Sequence, residues 1–129
     1  MSGRVVHFEI PFDDGDRARA FYREAFGWNI NHVPDMGYTL VSTGPASGEQ
    51  GPTEPGYIGG GMLQRVDFVE GPILIVDVDD IDGALAKVEQ LGGKTVRGRQ
   101  EVGQMGFAAY FKDPEGNLMG LWQNAPTNG

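Results

Sequence analysis

Apolar and polar positions alternate over residues 5–12, where His7, Glu9 and Pro11 fall on one side of an extended chain and Phe8, Ile10 and Phe12 on the other. Successive side chains of a strand face opposite ways, so this period predicts a strand whose Phe8, Ile10 and Phe12 side lies against a helix. Over residues 17–26 the period changes. Ala18, Phe21, Tyr22 and Ala25 recur at the i, i+3, i+4, i+7 spacing of one helix face, after the turn and cap residues Asp13-Asp14-Gly15-Asp16 and before the stop Gly27. Residues 28–33 and 38–43 read as two strands joined by a turn at Pro34-Asp35-Met36-Gly37, and residues 57–68 as a fourth. Between these, residues 44–56 are dominated by Gly, Pro, Ser, Glu and Gln, too poor in apolar side chains for a core element, and predict a long mobile loop.

The same plan then returns. At a constant offset, Asp13, Asp14, Asp16, Ala18, Ala20 and Gly27 meet Asp79, Asp80, Asp82, Ala84, Ala86 and Gly93. Residues 73–78 predict a strand, 80–91 a helix with Ile81, Ala84, Leu85 and Val88 on its apolar side, and 94–102, 106–112 and 118–123 three further strands. Asp113-Pro114-Glu115-Gly116-Asn117 supplies the hairpin turn before the last of them, and the polar tail from Asn124 frays. The expectation is an α+β fold of two β-α-β-β-β modules, one about residues 4–69 and the other about 72–124, within a single domain spanning 1–129. The aspartates at the two helix starts read as caps and helix-dipole partners rather than as an acidic site.

Composition narrows the chemistry. A chain of 129 residues is large enough to bury roughly two thirds of its unfolded surface without disulfides or a structural metal. It has no cysteine, which removes thiol nucleophiles and thiolate ligands and leaves nitrogen and oxygen donors. A formal net charge of -8 argues against nucleic acid, which demands Lys and Arg for its phosphates. With no apolar run long enough to span a bilayer, a soluble cytoplasmic protein that binds no membrane is expected. The 21 glycines exceed twice the usual ~7% share, and Gly59-Gly60-Gly61 in a strand suggests close backbone approach or room for a ligand.

Two β-α-β-β-β modules in this order, with Phe21-Tyr22 and Phe26-Gly27-Trp28 in the first and Asp113-Pro114-Glu115-Gly116-Asn117 near the end, resemble the vicinal oxygen chelate superfamily of glyoxalase I, bleomycin-resistance proteins, fosfomycin-resistance enzymes and extradiol dioxygenases. The resemblance covers about residues 4–124. It implies sheets curled into an open, U-shaped mixed-sheet half-barrel, commonly completed by dimerisation, with metal ligands on the first and last strands of each module. The histidine implied for the first module matches His7, seven residues before Asp14; its counterpart in the second module falls at Ile73. The glutamate implied seven residues after Asp113 falls at Gly120, and the fourth position lies within residues 59–64, which contain no His, Asp or Glu. Ile and Gly cannot coordinate, so no metal cofactor is expected. The one alternative is a divalent metal at a makeshift site of His7 and Glu9, roughly 7 Å apart along one strand face, helped by Gln64 or Asp67.

Three roles stay open for His7: metal ligand, polar or acid/base group in a cavity, or structural histidine paired with Glu9. Direct pairing with Glu9 would favour the imidazolium and raise the His7 pKa. Trp122 shares a strand face with Leu118 and Gly120 and is placed beside the hole left at Gly120, where an aromatic wall suits an apolar or aromatic ligand. His32 and the remaining aromatics, Trp28, Tyr38, Tyr57, Phe107 and Tyr110, are assigned to surface and core. The function expected is binding of a small, apolar or aromatic molecule by a homodimer, with His7, Glu9, Met62, Ile73, Gly120 and Trp122 lining the groove. The alternative is a metal-dependent lyase or dioxygenase acting through His7 and Glu9. A purely structural or partner-binding role is the third.

Overall fold

The computed structural model describes residues 3–33, 38–44, 47–48, 51–52 and 56–126. The turn expected at Pro34-Asp35-Met36-Gly37, most of the segment 44–56 and the last three residues lie outside the described set. Strand β1 (Val5–Phe12) leads to helix α1 (Gly15–Phe26), β2 (Asn29–Val33), β3 (Tyr38–Ser42), a two-residue ladder of β4 (Ser47–Gly48) and β5 (Gly51–Pro52), and β6 (Gly59–Gln64). Strand β7 (Ile73–Asp77), helix α2 (Ile81–Gln90), β8 (Lys94–Val102), β9 (Gly106–Lys112) and β10 (Leu118–Asn124) follow. The expected loop therefore contains a short antiparallel pair, Ser47 with Pro52 and Gly48 with Gly51. The fold is α+β and built from two β-α-β-β-β modules.

The chain divides into two compact units, His7–Pro72, and Met1–Val6 with Ile73–Gly129. Residues 3–6 go with the second unit because β7 holds them: the Gly3 amide donates to the Asp77 carbonyl at 2.6 Å, the Asp77 amide to the Arg4 carbonyl at 2.9 Å, and the Arg4 amide to the Asp77 carboxylate at 3.0 Å.

In the first unit the strands run β2-β3-β6-β1, with β1 and β6 parallel and the other pairs antiparallel. The helical crossover thus sets the first strand beside the last. Phe8, Ile10 and Phe12 do face the helix, packing with Ala18, Tyr22 and Trp28 around buried Ile30, Val41 and Met62. Strand β6 ends sooner than expected because the chain turns: the Arg65 guanidinium bonds the Asp13 carboxylate at 3.0 Å and the Glu70 carbonyl at 3.1 Å, and the Val69 amide closes back on Val66.

The second unit repeats this arrangement as β7-β10-β9-β8, with β7 and β10 parallel. Ile81 and Leu85 of α2 meet Ala109 and Leu121, supported by Val76, Val78, Ala84, Phe107 and Phe111. The β9–β10 hairpin closes through the Asp113 carboxylate, which accepts from the Glu115 and Asn117 amides at 2.9 Å and from Asn117 Nδ2 at 3.0 Å. Those bonds, the Asn117 amide foremost, hold the Asp113 carboxyl below its usual range.

Candidate functional site

Register fixes what shares the face of the first unit opposite α1. His7 lies across from Gly59 and Gly59 from Ser42; Glu9 from Gly61 and Gly61 from Leu40; Pro11 from Leu63 and Leu63 from Tyr38. His7 and Glu9, two residues apart on one strand, are on this side as period two requires. They do not bond each other. The Tyr38 hydroxyl stands between them, 2.9 Å from His7 Nε2 and 3.1 Å from Glu9 Oε2. Tyr38 begins one row away, but its ring leans over Gly61, where a Cβ would occupy the place of the hydroxyl. The glycine in β6 is what lets the bridge form.

Glu9 is buried, at 8% exposure, and a buried carboxylate demands hydrogen bonds. Tyr38 supplies one. His7 is half-buried, and burial lowers its pKa from the usual 6.5, the reverse of the rise expected from direct pairing with Glu9. With a hydroxyl interposed, desolvation of the imidazolium sets the direction. His7 Nδ1 has no hydrogen-bond partner among the described residues.

The remaining expected site residues distribute as follows. Met62 pairs with Ile10 and is fully buried in the apolar cluster beneath α1, so it does not line the His7 face. In the second unit, Ile73 and Ile75 fall on the face that carries Gly120 and Trp122, since Gly120 pairs with Ile75 and Trp122 with Asp77. The space at Gly120 is taken by the Ile75 Cδ1 methyl, with the Tyr110 ring 3.4 Å from where a Cβ would stand. Trp122 lies over Gly106, and its Nε1 donates to Asn124 Oδ1 at 2.8 Å. Room expected for a ligand at Gly60, Gly61 and Gly120 is thus occupied by Phe8, Tyr38 and Ile75.

The described residues do not fit a divalent cation. Among the described residues no three His, Asp or Glu side chains converge. Gln64, one of the two suggested helpers, is on the opposite face, its amide donating to the Asp13 carbonyl at 3.3 Å, and Asp67 is exposed in the turn after β6. Sequence alone places Tyr38 in the core. The signal that pairs it with the site is a glycine one strand away, because an aromatic ring crosses a strand closely where no Cβ obstructs it.

Comparison with known proteins gives the family and the fold. Residues 4–44 match the bleomycin resistance protein-like N-terminal family. A glyoxylase-like domain-containing protein of Didymella fabae is 32% identical over 122 residues, covering 91% of each chain. The chain belongs to the vicinal oxygen chelate superfamily. Its glyoxylase-like relatives include CFP32 of Mycobacterium tuberculosis, named as a glyoxylase, 32% identical over 89% of this chain but only 43% of its own length. This chain therefore spans less than half of CFP32. Among solved structures, methylmalonyl-CoA epimerase of Mycobacterium tuberculosis superimposes with a TM-score of 0.62 at 20% identity, over 94% of this chain and 87% of its own. Protein BH1468 of Bacillus halodurans does so with 0.64 at 13% identity, over 100% and 99%. These two share the superfamily fold.

Proposed function

We propose that this vicinal oxygen chelate protein binds a small organic molecule on the His7 face without a metal ion, using His7 as its polar contact. The carrying observation is that positions which would hold a chelate are filled by packing and hydrogen bonding. The Ile75 methyl takes the space at Gly120, and the Tyr38 hydroxyl ties His7 to Glu9. Leu40 supports an apolar component to binding, since it lies one strand beyond Gly61 and stays 47% exposed beside the polar chain. The lyase or dioxygenase alternative needs a metal held by His7 and Glu9, and a third donor for it is missing among the described residues.

Thermal denaturation of chelator-treated protein tests the reading. Bleomycin, methylmalonyl-CoA and a panel of small aromatic amides and phenols are the probes. At least one is expected to stabilise the protein by about 2.7 kcal/mol at a hundredfold excess over its Kd, and His7→Ala to abolish that stabilisation. Stabilisation that appears only after zinc or manganese is added, or none across the panel, would overturn it.

A homodimer is part of the same proposal. Phe21 and Phe26 of α1, 57% and 63% exposed, give it apolar surface to bury.

A further inference from the structure

Tyrosine has one hydroxyl proton. With Glu9 ionised, that proton in the chain His7–Tyr38–Glu9 goes to the Glu9 carboxylate, which then has none to offer in return. The Tyr38 oxygen then meets His7 Nε2 as an acceptor, and at 2.9 Å the imidazole must supply the proton from that nitrogen. A neutral imidazole with Nε2–H carries a lone pair on Nδ1, the nitrogen without a partner among the described residues.

We infer that Tyr38 is the specificity-determining residue of this site: it fixes His7 as the Nε2–H tautomer, so that Nδ1 selects a neutral or cationic ligand donating an N–H or O–H. The inference rests on the binding role proposed for His7 and names the ligand class. An acceptor-only ligand would place its lone pair against that of Nδ1, and an anionic one would also meet the buried Glu9 carboxylate on a chain of net charge -8. The same bond takes Nε2 out of play as a cation ligand, because a protonated imidazole nitrogen has no lone pair to give. Gly61 has a defined part in this, since its missing Cβ leaves the space in which the Tyr38 hydroxyl reaches both partners.

Two measurements on 15N-labelled full-length protein test the inference. Long-range proton–nitrogen correlation of ligand-free protein near neutral pH is expected to show His7 protonated at Nε2 and bare at Nδ1. In Tyr38→Phe the preference relaxes to a mixture of tautomers, while a folded amide spectrum reports that the scaffold is intact. Protonation at Nδ1 in the wild type, or a tautomer unchanged in Tyr38→Phe, overturns the positioning role. The second measurement titrates phenol and its methyl ether, anisole, which match in shape but differ in the donor. Phenol is expected to bind about tenfold more tightly than anisole, the worth of one good hydrogen bond, and Tyr38→Phe to narrow that ratio. Equal binding of the two overturns the ligand class while leaving small-molecule binding itself standing. Binding of neither, with wild-type tautomer as expected, overturns the ligand class together with the binding role and leaves Tyr38 as a positioning residue only.

Discussion

A methyl group added at Gly61 would sit where the Tyr38 hydroxyl now lies, whereas one added at Gly59 would meet only the Val41 carbonyl at an ordinary 3.7 Å. Gly61→Ala is therefore expected to lower unfolding free energy by about 1–3 kcal/mol in urea denaturation, and Gly59→Ala to leave it unchanged or raise it slightly. Equal effects at the two positions would contradict the placement of the Tyr38 ring. Burial of His7 gives a second expectation. Because its folded-state pKa is below the unfolded value near 6.5, the unfolded chain binds more protons between the two values. The His7 contribution is thus fully present above the unfolded value and is lost as pH falls below it. Urea unfolding of wild type and His7→Gln across pH 5 to 8 should show the wild type losing stability relative to the variant as pH drops; a relative gain would mean a raised pKa. At this scale the sequence showed that His7 and Glu9 share a face, because period two places them so. It did not show Tyr38, which reaches them only through the register of β3 on β6. Nor did it show the side taken by Met62, because Gly59-Gly60-Gly61 carries no alternation from which to count.

The two modules repeat in pattern but not in every contact. Asp14 caps α1, its carboxylate accepting from the Arg17 amide at 3.1 Å, and Gly27 closes the helix in the left-handed region at φ 70°. Asp80 occupies the equivalent cap position of α2 without a side-chain bond, and the Ile81 amide is met instead by Gln123 Oε1 from β10 at 2.8 Å. The left-handed residue after α2 is Gly92, at φ 98°, not the repeat-matched Gly93, whose missing Cβ makes way for Val88 and the Lys112 carbonyl. Asp14→Ala and Gln123→Ala should each lower stability by about 1 kcal/mol, and Asp80→Ala by much less, as read by thermal unfolding. A cost at Asp80 matching that at Asp14 would contradict the assignment. The helix faces were legible in period but not in depth. Ile81 and Leu85 of α2 are buried as its pattern suggests, while in α1 only Ala18 and Tyr22 of the expected stripe pack on the core and Phe21 stays exposed.

For the whole molecule, the repeat and its turn motifs were enough to reach the superfamily from sequence, since glycines, caps and alternation report backbone requirements directly. The filling of the positions that the resemblance implies as ligands was half legible: Ile73 and Gly120 carry no donor, but what fills the space at Gly120 depends on Ile75 and Tyr110, which only the folded register brings near. No helix among the described residues is long and apolar enough to cross a membrane. Strand β8, at the end of its sheet, is interrupted by register shifts around Arg97 and carries Lys94, Arg97, Arg99 and Glu101, features that discourage edge-to-edge pairing. Dimerisation is accordingly expected away from β8. Light scattering at micromolar concentration should give twice the chain mass for wild type and a shift toward monomer for Phe26→Glu; a monomeric wild type would contradict it. The central claim, a chelating scaffold whose remaining histidine has been drawn into a hydrogen-bond chain, is tested most directly by calorimetric titration of chelator-stripped protein with zinc, nickel, manganese and ferrous iron. The account predicts no tight stoichiometric site that depends on His7. One cation bound tightly per chain, and lost in His7→Ala, would contradict it.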